Sequence, residues 1–156
     1  MSMSATIERV ETDKRFRELL AVLLEYERDL DPDLRHGTEP TLPEVQRNYQ
    51  SPNAAFLAFV DNQVAGCVVA LALDDSSIVL QRLYARPSFR SRGVGRALVE
   101  AVITHARDRG VRRVVLDTDR ERLQAAYRLY LSLGFTPCES FSSVEYRCTT
   151  YLQRTL

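Results

Sequence analysis

The sequence predicts an α/β fold built on a mixed sheet whose first strands run antiparallel. Three features lead there. Apolar stretches joined by a two-residue turn form a meander early in the chain. A strand–helix–strand crossover follows it. Segments with apolar residues at helical spacing complete the order β-α-α-β-β-β-α-β-α-β-β. The 156 residues are the usual extent of one domain, so residues 1–156 read as a single unit. With 45% hydrophobic and 27% charged residues, the composition is that of a globular chain with a core of its own.

The elements follow in order. "SATIERV" reads as a short first strand. "DKRFRELLAVLLEYERDL" has apolar residues at 16, 19, 20, 23, 24 and 26, a helical stripe with Thr12 or Asp13 as N-cap. "DPDLRHGTEPTLP" holds three prolines and a glycine and reads as a loop, with Pro43 opening a short helix to about Tyr49. "AAFLAFV" and "QVAGCVVALAL" form a hairpin across Asp61-Asn62, residues that tolerate the positive φ of a tight turn. "SSIVLQRLYARP" is a strand stopped by Pro87. "GVGRALVEAVITHARDRG" is an amphipathic helix closed by Gly110. "VRRVVLDT" is a buried strand, "RERLQAAYRLYLSLG" a second such helix, and "FTPCESF" and "VEYRCTTYLQRTL" two closing strands.

Several function classes fall away. The net charge is zero, so the molecule as a whole has no pull on nucleic acid. No apolar run approaches the roughly 18 residues of a membrane span, and "MSMSATIERV" lacks the apolar core of a signal peptide, which gives a cytoplasmic expectation. Cys67, Cys138 and Cys148 are too widely spaced for a zinc pattern or a disulfide framework and read as reduced, core or near-core thiols; no metal is expected. His36 and His105 share no ligand spacing, and His105 lies on a helix face with Leu98, Ala101 and Val102, where it packs.

Charge is nonetheless segregated. Residues 1–75 carry 14 acids and 7 bases, a weak hint of a cationic acceptor, whereas residues 76–99 carry five arginines and no acid. Within "RPSFRSRGVGRALVEAV" the glycines at 93 and 95 precede a helix, whose start exposes unpaired N–H groups at the positive end of its dipole. Small residues there admit a phosphate closely, and Arg90, Arg92 and Arg96 can add charge-assisted hydrogen bonds. A diphosphate is the simplest guest; a plain helix start with a basic surface is the alternative. No P-loop is present. The dinucleotide fingerprint fails at Leu98, although Asp117, 22 residues after Gly95, falls where a ribose-binding acid would. The meander argues against that dinucleotide-binding reading.

These residues carry a resemblance. "RSRGVG" fits R/Q-x-x-G-x-G/A, the acyl-CoA diphosphate loop of the GNAT N-acetyltransferase superfamily. "LQRLYARPSFRSRGVGRALVEAV" resembles the strand–loop–helix unit around it, "LDT…AAYRLYLSLGF" the next strand and helix, and "FVDNQVAGCVVAL" the preceding hairpin. The likeness runs from about residue 55 to 135.

The resemblance implies a GNAT-like fold, a mixed and mostly antiparallel central sheet with a splayed parallel strand pair flanked by helices. It implies that acetyl-CoA is the co-substrate and that its pantetheine arm lies in the splay, pairing with the backbone of Leu83, Tyr84 and Ala85. An N–H near Ala85 would polarise the thioester. Arg90, Ser91, Arg92, Gly93, Val94, Gly95 and Arg96 would hold the diphosphate, mainly through backbone N–H groups, and Ala126, the alanine of A-x-x-L-Y-x-x-x-G-F, joins the coenzyme-binding positions. Tyr130 would give a proton to the departing sulfur, with Tyr127 a packing residue beside it. Leu123 stands where many members have an asparagine that touches the coenzyme arm.

The expected activity is N-acetylation of a small-molecule amine or amino acid by direct attack, with no nucleic-acid or membrane partner. Homodimers are common among such proteins, and "RCTTYLQRTL" is the strand that could take part. Peptide or protein amines are alternative acceptors, and a non-catalytic acyl-CoA-binding regulatory module is the alternative class. The general base is not legible. Glu25, Glu27, Asp29 and Asp31 qualify by region only, and a surface charge run is the preferred reading of them, while Gln81 sits where some relatives carry a glutamate.

Overall fold

Seven strands form one sheet in the order β1-β2-β3-β4-β5-β7-β6 in a computed structural model that describes residues 5–142 and 149–156. The strands are β1 (Thr6–Arg9), β2 (Ala54–Val60), β3 (Gln63–Asp74), β4 (Ser77–Ala85), β5 (Arg113–Asp119), β6 (Thr136–Pro137) and β7 (Thr149–Thr155). The helices are α1 (Asp13–Asp29), α2 (Leu42–Asn48), α3 (Val94–Asp108) and α4 (Gln124–Ser132), with 3₁₀ turns at Pro32–Leu34 and Pro87–Phe89. Every strand pairing is antiparallel except β4–β5. The mostly antiparallel mixed sheet with one parallel pair is the arrangement expected from the sequence, and it leaves no doubly wound dinucleotide sheet.

Local chemistry explains the elements. The Thr12 side chain caps α1 by accepting the Arg15 N–H at 3.2 Å, which settles the choice between Thr12 and Asp13. Leu19, Val22 and Leu23, three and four residues apart, are buried on one face of α1. Asp61 (φ 52°) and Asn62 (φ 62°) turn the β2–β3 hairpin with both central residues left-handed.

Two cores sandwich the sheet. Phe16, Leu19 and Leu23 of α1 and Val45 of α2 pack on Leu57, Cys67 and Val69 on one face. Leu98, Val102 and Ile103 of α3 pack with Val68, Leu80, Val114 and Leu116 on the other, joined there by Tyr130 and Phe135.

Three boundaries differ from the sequence reading. The segment 31–43 is not wholly a loop, because Pro32 opens a 3₁₀ turn. The second amphipathic helix starts at Gln124 rather than Arg120. Asp119 Oδ1 accepts the N–H groups of both Glu121 and Arg122 at 2.9 Å, folding that stretch into a turn. "FTPCESF" forms a strand only over Thr136–Pro137, and Pro137 has no N–H to extend the ladder. Cys67 is buried and Cys138 half-buried, both free thiols; Cys148 and residues 144–147 of the closing strand lie outside the described residues.

Candidate active site

Between the Pro87–Phe89 turn and α3 the backbone is left-handed twice, at Ser91 (φ 65°) and Gly93 (φ 77°). At Gly93 the conformation asks for glycine, since an added Cβ would meet nothing within 4 Å. The backbone N–H groups of residues 91–96 have no acceptor among the described residues. They sit at the positive end of α3, and left-handed residues interspersed in such a turn are the pattern of an anion-binding nest. Gly95 has a different reason for being bare. Its Cβ would lie 3.0 Å from Leu129 Cδ2, so it lets α3 approach α4.

The arginines divide. Arg86 is structural, donating to Glu25 at 2.8 Å and to the Val64 carbonyl at 3.0 Å. Arg90 donates to the Ala85 carbonyl at 3.1 Å and lies over the Tyr84 ring. Arg96 reaches Ser132 Oγ at 3.3 Å and Glu100 at 3.9 Å. Arg92 lies over Phe89 and forms no ion pair among the described residues. Of the three arginines expected at the diphosphate, Arg92 is therefore the least committed.

Beside this turn the sheet splits. β4 pairs with β5 only from Ser77–Val79 to Arg113–Val115, although the strands run on to Ala85 and Asp119. The β5-facing edge of residues 80–85 is left without a strand partner among the described residues, so Leu83, Tyr84 and Ala85 lie along an open gap. On its other edge β4 is pressed close to β3. A Cβ on Gly66 would stand 2.2 Å from the Tyr84 carbonyl oxygen, so only glycine fits. Leu83 and Ala85 pack on the α3 side with Ala126 and Tyr127 of α4. Tyr84 turns to the α1 side, where its hydroxyl donates to Asp29 Oδ2 at 2.6 Å. Burial, then that bond to Asp29, holds its phenol well above the ordinary range.

Tyr130 of α4 is 5% exposed, with its ring 5.7 Å from that of Phe135. Burial, with the charges of Tyr26 and Asp117 adding to it, raises its phenol far above the ordinary value and keeps it protonated.

On the α1 face of the split lies a cleft of about 920 Å³, lined in part by Tyr26, His36, Gln81, Arg82, Asp117 and Leu123. The Glu27 carboxylate accepts both the His36 backbone N–H at 3.0 Å and the imidazole Nδ1–H at 2.5 Å. In the neutral ring this bond selects the Nδ1–H tautomer, with Nε2 as the lone-pair acceptor. The His36 ring stacks on Tyr26 with centroids 6.1 Å apart, and Tyr26 meets Tyr84 edge-on at 5.8 Å. Across the cleft mouth, Arg122 donates to Asp119 at 2.6 Å and to Asp33 at 2.6 Å, tying the 31–33 turn to the end of β5. Burial alone would raise the Asp119 carboxyl, but the Arg122 and Glu121 hydrogen bonds outweigh it and hold it below the usual range.

The acetyltransferase (GNAT) family model matches residues 16–135 of this chain. The chain belongs to the GNAT acetyltransferase family. The chain is 35% identical over 100 residues to N-acetyltransferase 8F1 of Rattus norvegicus, covering 60% of this chain and 45% of that protein. It is 33% identical over 97 residues to N-acetylaspartate synthetase of Danio rerio, covering 60% of this chain and 34% of that one. The chain spans less than half the length of either relative. In fold it is similar to the Salmonella typhimurium acetyltransferase yncA, whose structure was determined with its cofactor acetyl-CoA. That match has a TM-score of 0.80 over 97% of this chain and 94% of the other, at 16% identity.

The four regional carboxylates separate by partner. Glu25 is paired with Arg86, Asp29 with Tyr84 and Asp31 with Arg122, while Glu27 holds a histidine that lines the cleft. Sequence reasoning missed His36 because it lies nine residues from Glu27, in a segment read as loop. It also missed Gly66, whose need appears only with β4 alongside, and the bulge at Arg82, where β4 shifts register against β3 between Cys67 and Val69. The proline- and glycine-rich stretch 31–43, bringing a histidine back to a helix rich in acids, was the one available signal.

Proposed function

We propose that this acetyltransferase moves the acetyl group of acetyl-CoA onto the amine of a small molecule or amino acid by direct attack within a ternary complex. The observation that carries the reading is the run of open backbone N–H groups at residues 91–96 beside the split between β4 and β5. The N–H groups clasp the diphosphate, the pantetheine arm occupies the gap along Leu83, Tyr84 and Ala85, and an N–H near Ala85 polarises the thioester carbonyl. The acceptor enters from the α1 side, where a cleft of about 920 Å³ suits a small molecule. The N-acetylaspartate synthetase relative carries an amino acid product in its name, which supports an acceptor of that kind.

His36 Nε2 takes the proton that an acceptor ammonium must lose, directly or through a water, and Glu27 stabilises the imidazolium that forms. The free amine attacks the carbonyl carbon, the C–N bond forms, and the C–S bond breaks as the tetrahedral centre collapses. The nitrogen sheds its second proton to solvent. Tyr130 hydrogen-bonds the departing thiolate. Its raised phenol is a poor full donor, so stabilising the leaving sulfur is its larger contribution, with net protonation completed from solvent. We place the reaction in the cytoplasm, where the free thiols of Cys67 and Cys138 stay reduced.

The test follows thiol release from acetyl-CoA with a panel of amines, amino acids and short peptides. Release with a small amine or amino acid is expected. Failure of acetyl-CoA to bind at high-micromolar concentration overturns the reading, and tight binding with no turnover across the panel replaces it with a non-catalytic acyl-CoA-binding module.

A further inference from the structure

The arginines facing the α1 side are nearly all committed. Arg86 is held by Glu25, Arg122 by Asp119 and Asp33, and Arg15 by Glu8 and Glu18. Arg35 spends its guanidinium on the carbonyls of Glu27 and Arg28 at the end of α1. Arg82 stands apart. It lines the cleft, and the one hydrogen bond its side chain makes among the described residues goes to a neutral group, Gln81 Oε1, at 2.8 Å. No carboxylate of the described residues lies within ion-pair distance of it.

Its backbone is as unusual as its side chain. Arg82 is left-handed at φ 54°, in the bulge where β4 shifts register against β3 between Cys67 and Val69. A long side chain in that conformation costs energy, and a bulge re-aims the side chain it carries. The guanidinium is directed into the α1 face. Its positive charge opposes the burial-driven rise of the phenols of Tyr26 and Tyr49 and of the Cys67 thiol. Because Gln81 accepts from Arg82 through its oxygen, its amide nitrogen keeps two N–H donors beside the same spot. A planar fork with a neighbouring amide donor matches a carboxylate, and an arginine left without an anion in a cleft is costly unless a ligand supplies one. The same cleft is lined by His36, backed by Glu27, which suits an ammonium group.

We propose that Arg82, with the Gln81 amide, is a carboxylate anchor in the acceptor pocket, and that the preferred acceptors are amino acids rather than simple amines. This rests on the amine-acetylation reading above. The anchor orients the acceptor: with its carboxylate on Arg82, its amine turns to His36 and the thioester. It also selects, because an amine lacking the carboxylate leaves the guanidinium buried under the acceptor without its counter-charge.

The experiment compares each amino acid with its decarboxylated amine and its methyl ester, leucine with isoamylamine and leucine methyl ester, phenylalanine with phenethylamine and its ester. The wild-type protein is expected to favour the free acids by about tenfold or more in kcat/KM, as one good ionic contact supplies. Arg82→Asn, chosen because asparagine tolerates the left-handed backbone, is expected to lower the acid-to-amine ratio by about tenfold, mostly through KM for the acid. Arg82→Lys keeps the charge without the fork and should fall between. A wild-type protein that uses amines and esters as well as acids, or a variant that loses both equally, overturns the anchor. Calorimetry with N-acetyl-leucine in the presence of CoA separates this from the activity itself. Binding by the wild type that weakens in Arg82→Asn supports the anchor even if no acceptor turns over, in which case the transferase reading alone fails. No binding together with no turnover overturns the anchor too. Should Arg82→Asn not fold by its melting curve, the wild-type comparison of acids, amines and esters decides.

Discussion

Two side chains serve the proposed reaction, His36 by taking a proton and Tyr130 by hydrogen-bonding the departing sulfur, and each gives a distinct signature. Tyr130→Phe keeps the packing against Phe135 and removes only the hydroxyl, so kcat should fall by about 10- to 100-fold with little change in KM for acetyl-CoA. Steady-state kinetics at saturating acceptor checks this. His36→Gln should lower kcat/KM for the acceptor by about tenfold or more near neutral pH. The deficit should narrow toward pH 10, where an amine supplies its own free base and no longer needs the imidazole. A pH–rate profile of both proteins reads that narrowing. The two roles were unequally legible. Tyr130 sits in a local motif, A-x-x-L-Y-x-x-x-G-F, whereas His36 acquires meaning only from the fold that returns it to Glu27.

At the scale of elements, the turn before α3 separates backbone from side-chain binding. Gly93→Val forces a β-branched residue to φ 77°, a strain of about 1–2 kcal/mol or more, and should weaken acetyl-CoA by about tenfold. Arg92→Ala removes one exposed charge and should weaken it only a few-fold, since single exposed ionic contacts contribute little. Titration calorimetry of both variants tests the contrast. Gly66 marks a second close approach. Gly66→Ala drives a Cβ into the Tyr84 carbonyl, so β4 must move from β3, and the melting temperature should drop by about 5 °C. Periodicity gave these elements good boundaries where one face is apolar, as in α1 and α3. It misjudged the start of α4, because residues 120–123 have helical composition but are folded by Asp119, a side chain competing with the backbone. The strand around Thr136 shrank for a similar reason, its proline removing a donor.

Across the whole molecule, the uneven charge seen along the sequence becomes internal pairing. Acids from α1 and the turn after it meet arginines from the second half at Glu25–Arg86 and at Asp31 and Asp33 with Arg122. Much of the acidic excess of residues 25–33 is therefore engaged in contacts within the chain. Only three-dimensional contact reveals that use of these residues. His105 sets a whole-molecule response to acid. It is buried edge-on to Phe56, and its Nε2 has no hydrogen-bond partner among the described residues. Burial, aided by Arg9 and Arg109, lowers its pKa below the 6.5 of a free imidazole, so the unfolded chain binds the proton more readily. Its contribution is complete above about pH 6.5 and is lost as pH falls through the lowered value. Melting temperature should decline over that window in the wild type and decline less in His105→Leu. Asp119, depressed from 3.8, loses its contribution only in stronger acid, outside that window.

The middle strand of most sheets is the most sheltered part of a protein, its amides slow to trade hydrogen for deuterium. Here the opposite holds on one side of β4. Beyond Val79 those amides look into a furrow, so the fastest-exchanging strand positions should lie at the geometric centre of the molecule instead of its rim. A guest that lays its own amides along that furrow completes the sheet, and becomes as much a part of the architecture as any strand the chain encodes.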